Sequence, residues 1–146
     1  MSINVVCSLG LHCHSSMLIK NNKLKMNSYP FDWIFSNLNM IIDCIEDKFE
    51  KFLNRSLYID INSDNGCGHS IYHKTLFFHK NPLVKNEDYS YYERSVDRFK
   101  ILLDSDKNKL FVMIFINNKD VDNEHEKKLL ILTTIFQNIR QIIDYW

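Results

Sequence analysis

The stretch most able to do chemistry is SLGLHCHSS at residues 8–16, in which Cys13 lies between His12 and His14. Residues 3–7 have the apolar character of a short buried strand, and residues 15–20 have that of a helix start. Cys13 is therefore predicted where a strand passes into a helix. The free N–H groups and partial positive charge of a helix N-terminus favour a thiolate over a thiol. This position would suit a nucleophile.

Cysteine-based hydrolysis also needs a histidine base, a group that orients it, and donors for the oxyanion. We predict His79 as the base because it closes an apolar strand, whereas His12 and His14 are adjacent to Cys13 and should point away from it. Asp32 is the candidate orienting group, or the support for an arginine. The alternatives stay open: Cys13 as a small buried apolar residue, His79 as a structural histidine, and Asp32 as a cap of the next helix.

Two other kinds of site are compatible with the residue types. A zinc site could use Cys13, Cys67, His69 and His73, with His12 or His14, but these spacings match no established zinc pattern. Arg94 and Arg98 lie one helical turn apart and could clamp an anionic group, although surface ion pairs explain them equally well. We therefore expect no metal and no cofactor. The candidate binding residues are Arg94, Arg98, Ser8 and His12.

The hydrophobic pattern predicts alternating helices and strands. Helices are expected over 37–53, 88–103 and 123–146, and strands over 58–61, 75–78 and 110–116, with a loop at 61–70. The run 110–116 is unbroken and apolar, which is typical of a strand covered on both faces. We predict one α/β domain over 1–146, with a short, mainly parallel sheet flanked by helices in a Rossmann-like three-layer arrangement. The loop after the first strand, and residues 117–120 after 110–116, would share the ligand-binding edge of that sheet.

Composition narrows the partners. Eighteen basic and eighteen acidic residues balance, so no overall field attracts nucleic acid or an anionic membrane. No apolar stretch approaches the roughly 20 residues of a membrane span, and the N-terminus lacks the pattern of an export signal. The four cysteines form no CxxC pair. We expect a cytoplasmic protein, in the host cytoplasm if the chain is viral, with neither nucleic-acid nor membrane partners.

Several segments, taken in order, resemble one family. They are SLG (8–10), Cys13, SYPFDW (28–33), FEKFL (49–53), FFH (77–79), YERSVDRF (92–99) and LFV (110–112). Together they are similar to a family of bacterial and large-virus proteins described as putative papain-like cysteine peptidases (DUF1796), over about residues 4 to 117. The resemblance implies a cysteine peptidase-like activity and, as an alternative fold, a papain-like α+β arrangement.

The predicted function is a cysteine-dependent hydrolase or acyl transferase that acts on a peptide, acyl or glycan-type substrate through Cys13 and His79. The alternative is a binding or interaction module without catalysis, in which Arg94, Arg98 and Asp32 hold an anionic or glycan ligand. A direct contact between Cys13 and a histidine would favour the first prediction.

Overall fold

The computed structural model of the chain describes residues 2–115 and 123–136. Four α-helices, one short 3-10 helix and five strands occur in these ranges. In chain order they are β1 (Val5–Ser8), α1 (Cys13–Asn21), α2 (Leu38–Glu46), the 3-10 helix Arg55–Leu57, β2 (Tyr58–Ile59), β3 (Cys67–His69), β4 (His73–Phe77), α3 (Asn86–Asp104), β5 (Lys109–Val112) and α4 (Asn123–Ile135). The mixed α/β class expected from the sequence is confirmed.

β1 and β5 form a two-stranded parallel sheet. The register runs from Val5 opposite Lys109 to Ser8 opposite Val112, and the Leu9 amide continues it by donating to the Val112 carbonyl at 2.9 Å. The carboxyl ends of both strands therefore meet at one edge, and the chain leaves β1 there and enters α1. This part of the prediction is confirmed, and it places Cys13 at that edge.

The other three strands form an antiparallel sheet in the order β2-β3-β4. The prediction of one mainly parallel sheet is therefore wrong for the described residues. The cause is the segment 61–70, which was predicted as a loop but contains β3. Its residues Cys67, Gly68 and His69 are all buried. Two glycines and several polar residues in 61–70 give this segment no strand-like hydrophobic pattern. It forms a strand because the tertiary fold places β2 and β4 on its two sides.

α2 ends at Glu46 and does not continue to residue 53. Lys48 and Phe49 have positive φ angles of 56° and 65°, and the Phe49 amide donates to the Cys44 carbonyl at 2.7 Å in a helix-terminating turn. The Asp47 carboxylate accepts from the amides of Phe49 and Lys51, each at 3.0 Å. These side-chain hydrogen bonds replace helical ones after Glu46, which explains why the helix ends although the apolar periodicity continues to residue 53.

An aromatic core joins the two sheets to the helices. Phe31, Phe49, Phe52, Phe77, Tyr92 and Phe99 are each at most 1% exposed. Their rings lie mostly at steep angles, as in the edge-to-face contact of Phe31 with Phe99 at 5.6 Å between centroids. Phe31 belongs to the SYPFDW segment, so that segment is tied to the core. α3, which the sequence predicted closely, contributes Tyr92 and Phe99 to the same cluster.

The C-terminal predictions are confirmed in part. α4 begins where it was expected and buries Leu132, and the residue after it, Phe136, stacks on Phe111 at 4.3 Å. β5 is shorter than predicted, and three of its four residues are only half-buried. Residues 116–122 and 137–146, which carry the rest of the predicted strand, the predicted edge at 117–120 and the end of the final helix, lie outside the described residues. Within the described ranges no helix is long and apolar enough to cross a membrane.

Candidate functional site

The loop between β1 and α1 is sharply bent. Gly10 has φ +82° and Leu11 has φ +69°, both in the left-handed region. A Cβ atom on Gly10 would lie 2.2 Å from Ser36 Oγ and 3.0 Å from the Phe31 carbonyl oxygen. Glycine is therefore required at position 10 both for its backbone angle and for the space, and the SLG part of the motif has a structural reason.

Two buried serines, Ser8 and Ser15, form hydrogen bonds with Gly10 of this loop. Ser8 Oγ and Ser15 Oγ are 2.6 Å apart, and both are almost completely buried. Ser8 Oγ accepts from the Gly10 amide at 3.1 Å, and Ser15 Oγ donates to the Gly10 carbonyl at 3.1 Å. Ser8, predicted as a binding residue, thus has its hydroxyl engaged within the protein, where it links the end of β1 to the first turn of α1.

A third serine, Ser36, lies outside the loop in sequence and also bonds to its backbone. Ser36 Oγ accepts from the Leu11 amide at 2.8 Å and donates to the Leu9 carbonyl at 2.9 Å. Neither Ser15 nor Ser36 was singled out in the sequence. Ser15 lies within the quoted motif, but for Ser36 no local signal exists, because it reaches the loop from 25 residues away. Both belong among the residues that position Cys13.

Cys13 is the first residue of α1 and is half-buried. The residue before it, His12, has an extended backbone, and its side chain makes no capping hydrogen bond; no acidic residue occurs in the first turn. The amides at the start of an α-helix have no acceptor within the helix. The Cys13 sulfur therefore lies where the helix dipole favours a negative charge and no carboxylate of the first turn opposes it.

The other three thiols are in a different environment. Cys7, Cys44 and Cys67 are all fully buried. Burial raises the pKa of Cys7 well above its usual value, that of Cys44 to about 12 and that of Cys67 to about 11. Cys13 is therefore the one cysteine of the four that a reagent in solution can reach in the folded protein.

A continuous group of rings, here called the ring surface, begins beside Cys13. Its members are His12, Trp33, Phe35, His73, Phe78 and His79. The centroid distances are 5.5 Å for His12–Phe35, 5.4 Å for Phe35–His73, 5.9 Å for Phe35–Phe78, 5.3 Å for Phe78–His79 and 6.1 Å for Trp33–His79. Three of its members are histidines, and the ring of His14 adjoins the surface through His12, with 6.1 Å between the two centroids. Phe35 and His73 were not predicted as members of a Cys13–His79 site.

His79 is exposed and lies two residues beyond β4. Its ring packs edge-on against Trp33 and Phe78. In the described part of the chain, no hydrogen bond joins the Cys13 thiol to a histidine ring. His79 is connected to His12, the neighbour of Cys13, through Phe78 and Phe35. The Cys13–His79 pair stays a prediction.

Asp32 is buried and fully engaged. Its carboxylate accepts from Ser16 Oγ at 2.8 Å, from the Tyr29 amide at 2.9 Å and from Lys25 Nζ. Ser16 lies one helical turn after Cys13, so Asp32 anchors the SYPFDW segment to the helix that carries the thiol. The alternative that Asp32 caps the next helix is wrong, because the side chain of Asn37 caps α2 by accepting from the Met40 amide.

Of the two arginines, Arg98 lies away from Cys13. Arg94 is exposed, and Arg98 Nε donates to the Ser28 carbonyl at 3.0 Å. Arg98 lines a cavity of about 420 Å³ together with Lys107, Asn4 and Val5. Val5 begins β1 and Ser8 ends it, so this cavity lies at the opposite end of the parallel sheet from the loop that precedes Cys13.

The residues of the zinc alternative are not assembled as a site. Cys67 and His69 lie in the buried strand β3 and not on a flexible loop. Across residues 2–115 and 123–136, no group of three or more His, Cys, Asp or Glu side chains is arranged to hold a metal ion. The geometry of the described residues therefore does not support a zinc site.

Comparison with known proteins identifies a family for part of the chain. Residues 4–75 match the family described as putative papain-like cysteine peptidase (DUF1796). This segment of about half the chain, which contains Cys13 and Asp32, belongs to that family. The match ends before His79, Arg94 and Arg98, so the resemblance beyond residue 75 stays a prediction. No match was found among curated proteins or among solved structures.

Proposed function

We propose that this protein is a cysteine-dependent hydrolase or acyl transferase in which Cys13 is the nucleophile. The observation that carries the proposal is the position of Cys13. It is the accessible thiol of the chain, it opens a helix directly after a strand, and it lies beside the ring surface. Reactive cysteines occupy partly exposed, electropositive environments of this kind. Membership of the peptidase-like family over residues 4–75 supports the same proposal.

In the proposed reaction His79 takes the proton of the Cys13 thiol, and the sulfur attacks the acyl carbon of the substrate. The tetrahedral intermediate collapses when the leaving group departs with its electron pair and receives the proton from His79. Water or another acceptor then attacks the thioester, and the Cys13 thiol is restored. The amide of Cys13, at the free end of α1, is suited to stabilise the oxyanion. The substrate supplies a peptide, acyl or glycan-linked carbonyl group.

The roles of the other residues follow from their contacts. Asp32 is proposed as a positioning residue, since it holds Ser16 and thereby the first turn of α1. Ser8, Ser15 and Ser36 fix the loop that precedes Cys13. His12 lies beside the nucleophile and is proposed to contact the substrate. None of these residues needs a cofactor for its role.

The proposal is tested by the rate at which iodoacetamide alkylates Cys13 in the folded protein. We expect Cys13 to react at pH 6.5 at least about tenfold faster than N-acetylcysteine, because the thiolate is stabilised. Cys13→Ala should abolish native-state labelling and the acylation burst with p-nitrophenyl acetate. His79→Gln should slow both reactions about tenfold. His14→Gln, an exposed histidine next to the nucleophile, is the matched control and should have little effect.

A Cys13 thiol that reacts no faster than N-acetylcysteine, and is indifferent to His79→Gln, would refute the hydrolase proposal. A thiol that is activated but still indifferent to His79→Gln would instead exclude His79 as the base. His73→Gln and His12→Gln then identify which other member of the ring surface serves in its place.

A second function is favoured by the cavity that Arg98 and Lys107 line. Two cations in a concave site of this size suit an anionic group. Of the three residues predicted for the binding module, Arg98 lines this cavity, whereas Arg94 and Asp32 do not. Inorganic phosphate should raise the unfolding temperature of the wild-type protein, and Arg98→Gln should remove that rise. Cys13→Ala should leave it unchanged, which separates this function from the first.

A further inference from the structure

Four of the six members of the ring surface, His12, His73, Phe78 and His79, come from two stretches of sequence that contain no acidic residue. Residues 9–31 contain Lys20, Lys23 and Lys25, and residues 65–86 contain Lys74, Lys80 and Lys85, while neither stretch contains an aspartate or glutamate. The chain as a whole has equal numbers of acidic and basic residues. Acidic and basic residues are therefore unevenly distributed along the sequence, although Lys80 of the second stretch pairs with Asp88 at 3.2 Å.

Asp32 does not offset this excess at the surface. It is the first acidic residue of the chain, and its side chain is 1% exposed. Lys25 pairs with it, and Ser16 and the Tyr29 amide take its remaining hydrogen-bonding capacity. Its negative charge is thus neutralised inside the protein and does not repel an anion that approaches Cys13.

Lys20 supplies a positive charge beside the ring surface. It lies seven residues after Cys13 on α1, which places it on the same face of the helix about 10 Å further along the axis. Its Nζ is 6.0 Å from the centroid of Trp33, whose ring contacts His79. Among the described residues Lys20 forms no ion pair. Phe78, 55% exposed, and Trp33 offer apolar contact beside this charge.

We propose that the acyl donor at Cys13 is an acidic peptide, with a carboxylate side chain close to the bond that is attacked. This inference rests on the proposed function of Cys13. The positive field of Lys20 and of the α1 N-terminus attracts the carboxylate, and the exposed rings receive an apolar neighbour. Nucleic acid fits less well, because phosphate backbones are bound by several lysines and arginines. Lys25 also lies 6.0 Å from the Trp33 centroid but pairs with Asp32, so within the described residues Lys20 is the one cation without an ion pair against that ring.

The charge preference is tested with iodoacetate and iodoacetamide, which alkylate a thiol by the same displacement of iodide but differ in charge. We expect the ratio of their rates at Cys13 to exceed the ratio measured for N-acetylcysteine by about threefold at low salt. Lys20→Gln should lower the ratio by about half or more, and 1 M NaCl should do the same. Lys127→Gln, which removes an exposed charge on α4, is the control and should leave it unchanged.

The two proposals fail in different ways in this experiment. If Cys13 reacts no faster than N-acetylcysteine with either reagent, the proposed function fails. If Cys13 is activated with iodoacetamide but its ratio equals that of N-acetylcysteine, the proposed function stands and the acidic substrate is refuted. An elevated ratio that is insensitive to both Lys20→Gln and salt also refutes it.

The kind of substrate is tested by protection of Cys13 from iodoacetamide. A capped glutamate-containing hexapeptide should slow alkylation at least threefold more than its glutamine counterpart, and this difference should disappear in Lys20→Gln. Equal protection by both peptides, or protection by oligo(dT) alone, would overturn the assignment of an acidic peptide. Protection by free glutarate without protection by the peptide would likewise overturn it, in favour of a small carboxylate.

Discussion

Cysteine and histidine are brought close together in two regions of the chain, and the two regions treat them oppositely. At the start of α1, Cys13 is half-buried and His14 is exposed. In β3, Cys67 and His69 have the spacing Cys-Gly-His but are at most 1% exposed. The His69 ring stacks on Tyr72 at 4.5 Å, donates from Nε2 to the Lys51 carbonyl and accepts at Nδ1 from the Ile71 amide. Residue type and spacing alone therefore do not determine whether a cysteine and a histidine are accessible, because the fold buries one pair and exposes the other.

We expect the largest losses of stability from adding a methyl group to the glycine of each region, Gly68 in β3 and Gly10 beside Cys13. A Cβ on Gly68 would lie 2.2 Å from the Lys74 carbonyl oxygen and 2.8 Å from its carbon. Both atoms are backbone of the paired strand, so Gly68→Ala should lower the free energy of unfolding by about 3 kcal/mol or more. Urea unfolding followed by circular dichroism measures the loss.

Gly10→Ala is the matched change beside Cys13. It meets a serine side chain at 2.2 Å and a backbone at φ +82°, which we expect to cost about 1–3 kcal/mol. A loss for Gly10→Ala that exceeds the loss for Gly68→Ala would contradict this expected order.

Replacing Asp32 tests how much its buried hydrogen bonds and ion pair stabilise the region around Cys13. Asp32→Asn keeps the shape but leaves Lys25 without its counter-ion and weakens the bonds to Ser16 and Tyr29. We expect a loss of about 3 kcal/mol in the free energy of unfolding, measured with urea. Asp97→Asn, an exposed change on α3, should stay within about 0.5 kcal/mol of wild type. A loss below about 1 kcal/mol for Asp32→Asn would argue against a structural anchor.

The buried histidine should make stability depend on pH. Burial lowers the pKa of His69 below that of an unfolded histidine, about 6.5. The unfolded chain then binds a proton more readily than the folded chain, so stability is complete above about pH 6.5 and falls as the pH decreases toward the folded pKa. One such group changes the free energy of unfolding by at most about 1.4 kcal/mol per pH unit.

Urea unfolding between pH 7.5 and 5 measures this slope. His69→Gln should flatten it, although the variant is less stable at every pH, and His14→Gln should retain the wild-type slope. The lowered pKa of Asp43, which arises first from its hydrogen bond with Lys51, adds a further loss only at more acidic pH, as the pH falls through that folded-state pKa. A wild-type slope that survives His69→Gln would assign the effect to another group.

Local sequence was sufficient to predict the helices and strands whose hydrophobic pattern matches which of their faces are buried. The periodicity of α3 and the apolar runs of β1 and β4 predicted these elements within a few residues. Cys13 at the junction of strand and helix followed from Gly10 and the two flanking patterns. In each case the residues that determine the element are its own, so neighbours in sequence carry the signal.

Pairing between distant segments could not be predicted in the same way. β3 lacks a strand-like sequence and exists because β2 and β4 bond to both of its edges. α2 stops at Glu46 because the Asp47 side chain competes for amides, although the apolar pattern continues. The ring surface and the hydrogen bonds of Ser36 to Leu9 and Leu11 join residues far apart in the chain. Hydrophobic periodicity contains no information on such contacts.

By itself, then, the sequence determined the α/β class, the family over residues 4–75 and the thiol at the start of a helix. The packing of distant segments determines which cysteines and histidines are accessible, that three of the five strands in the described residues pair antiparallel, and that Asp32 bonds to Ser16, Lys25 and Tyr29. The physical reason is that secondary structure depends mainly on local backbone preference and side-chain pattern, whereas burial and hydrogen-bond partners depend on which distant segments pack together.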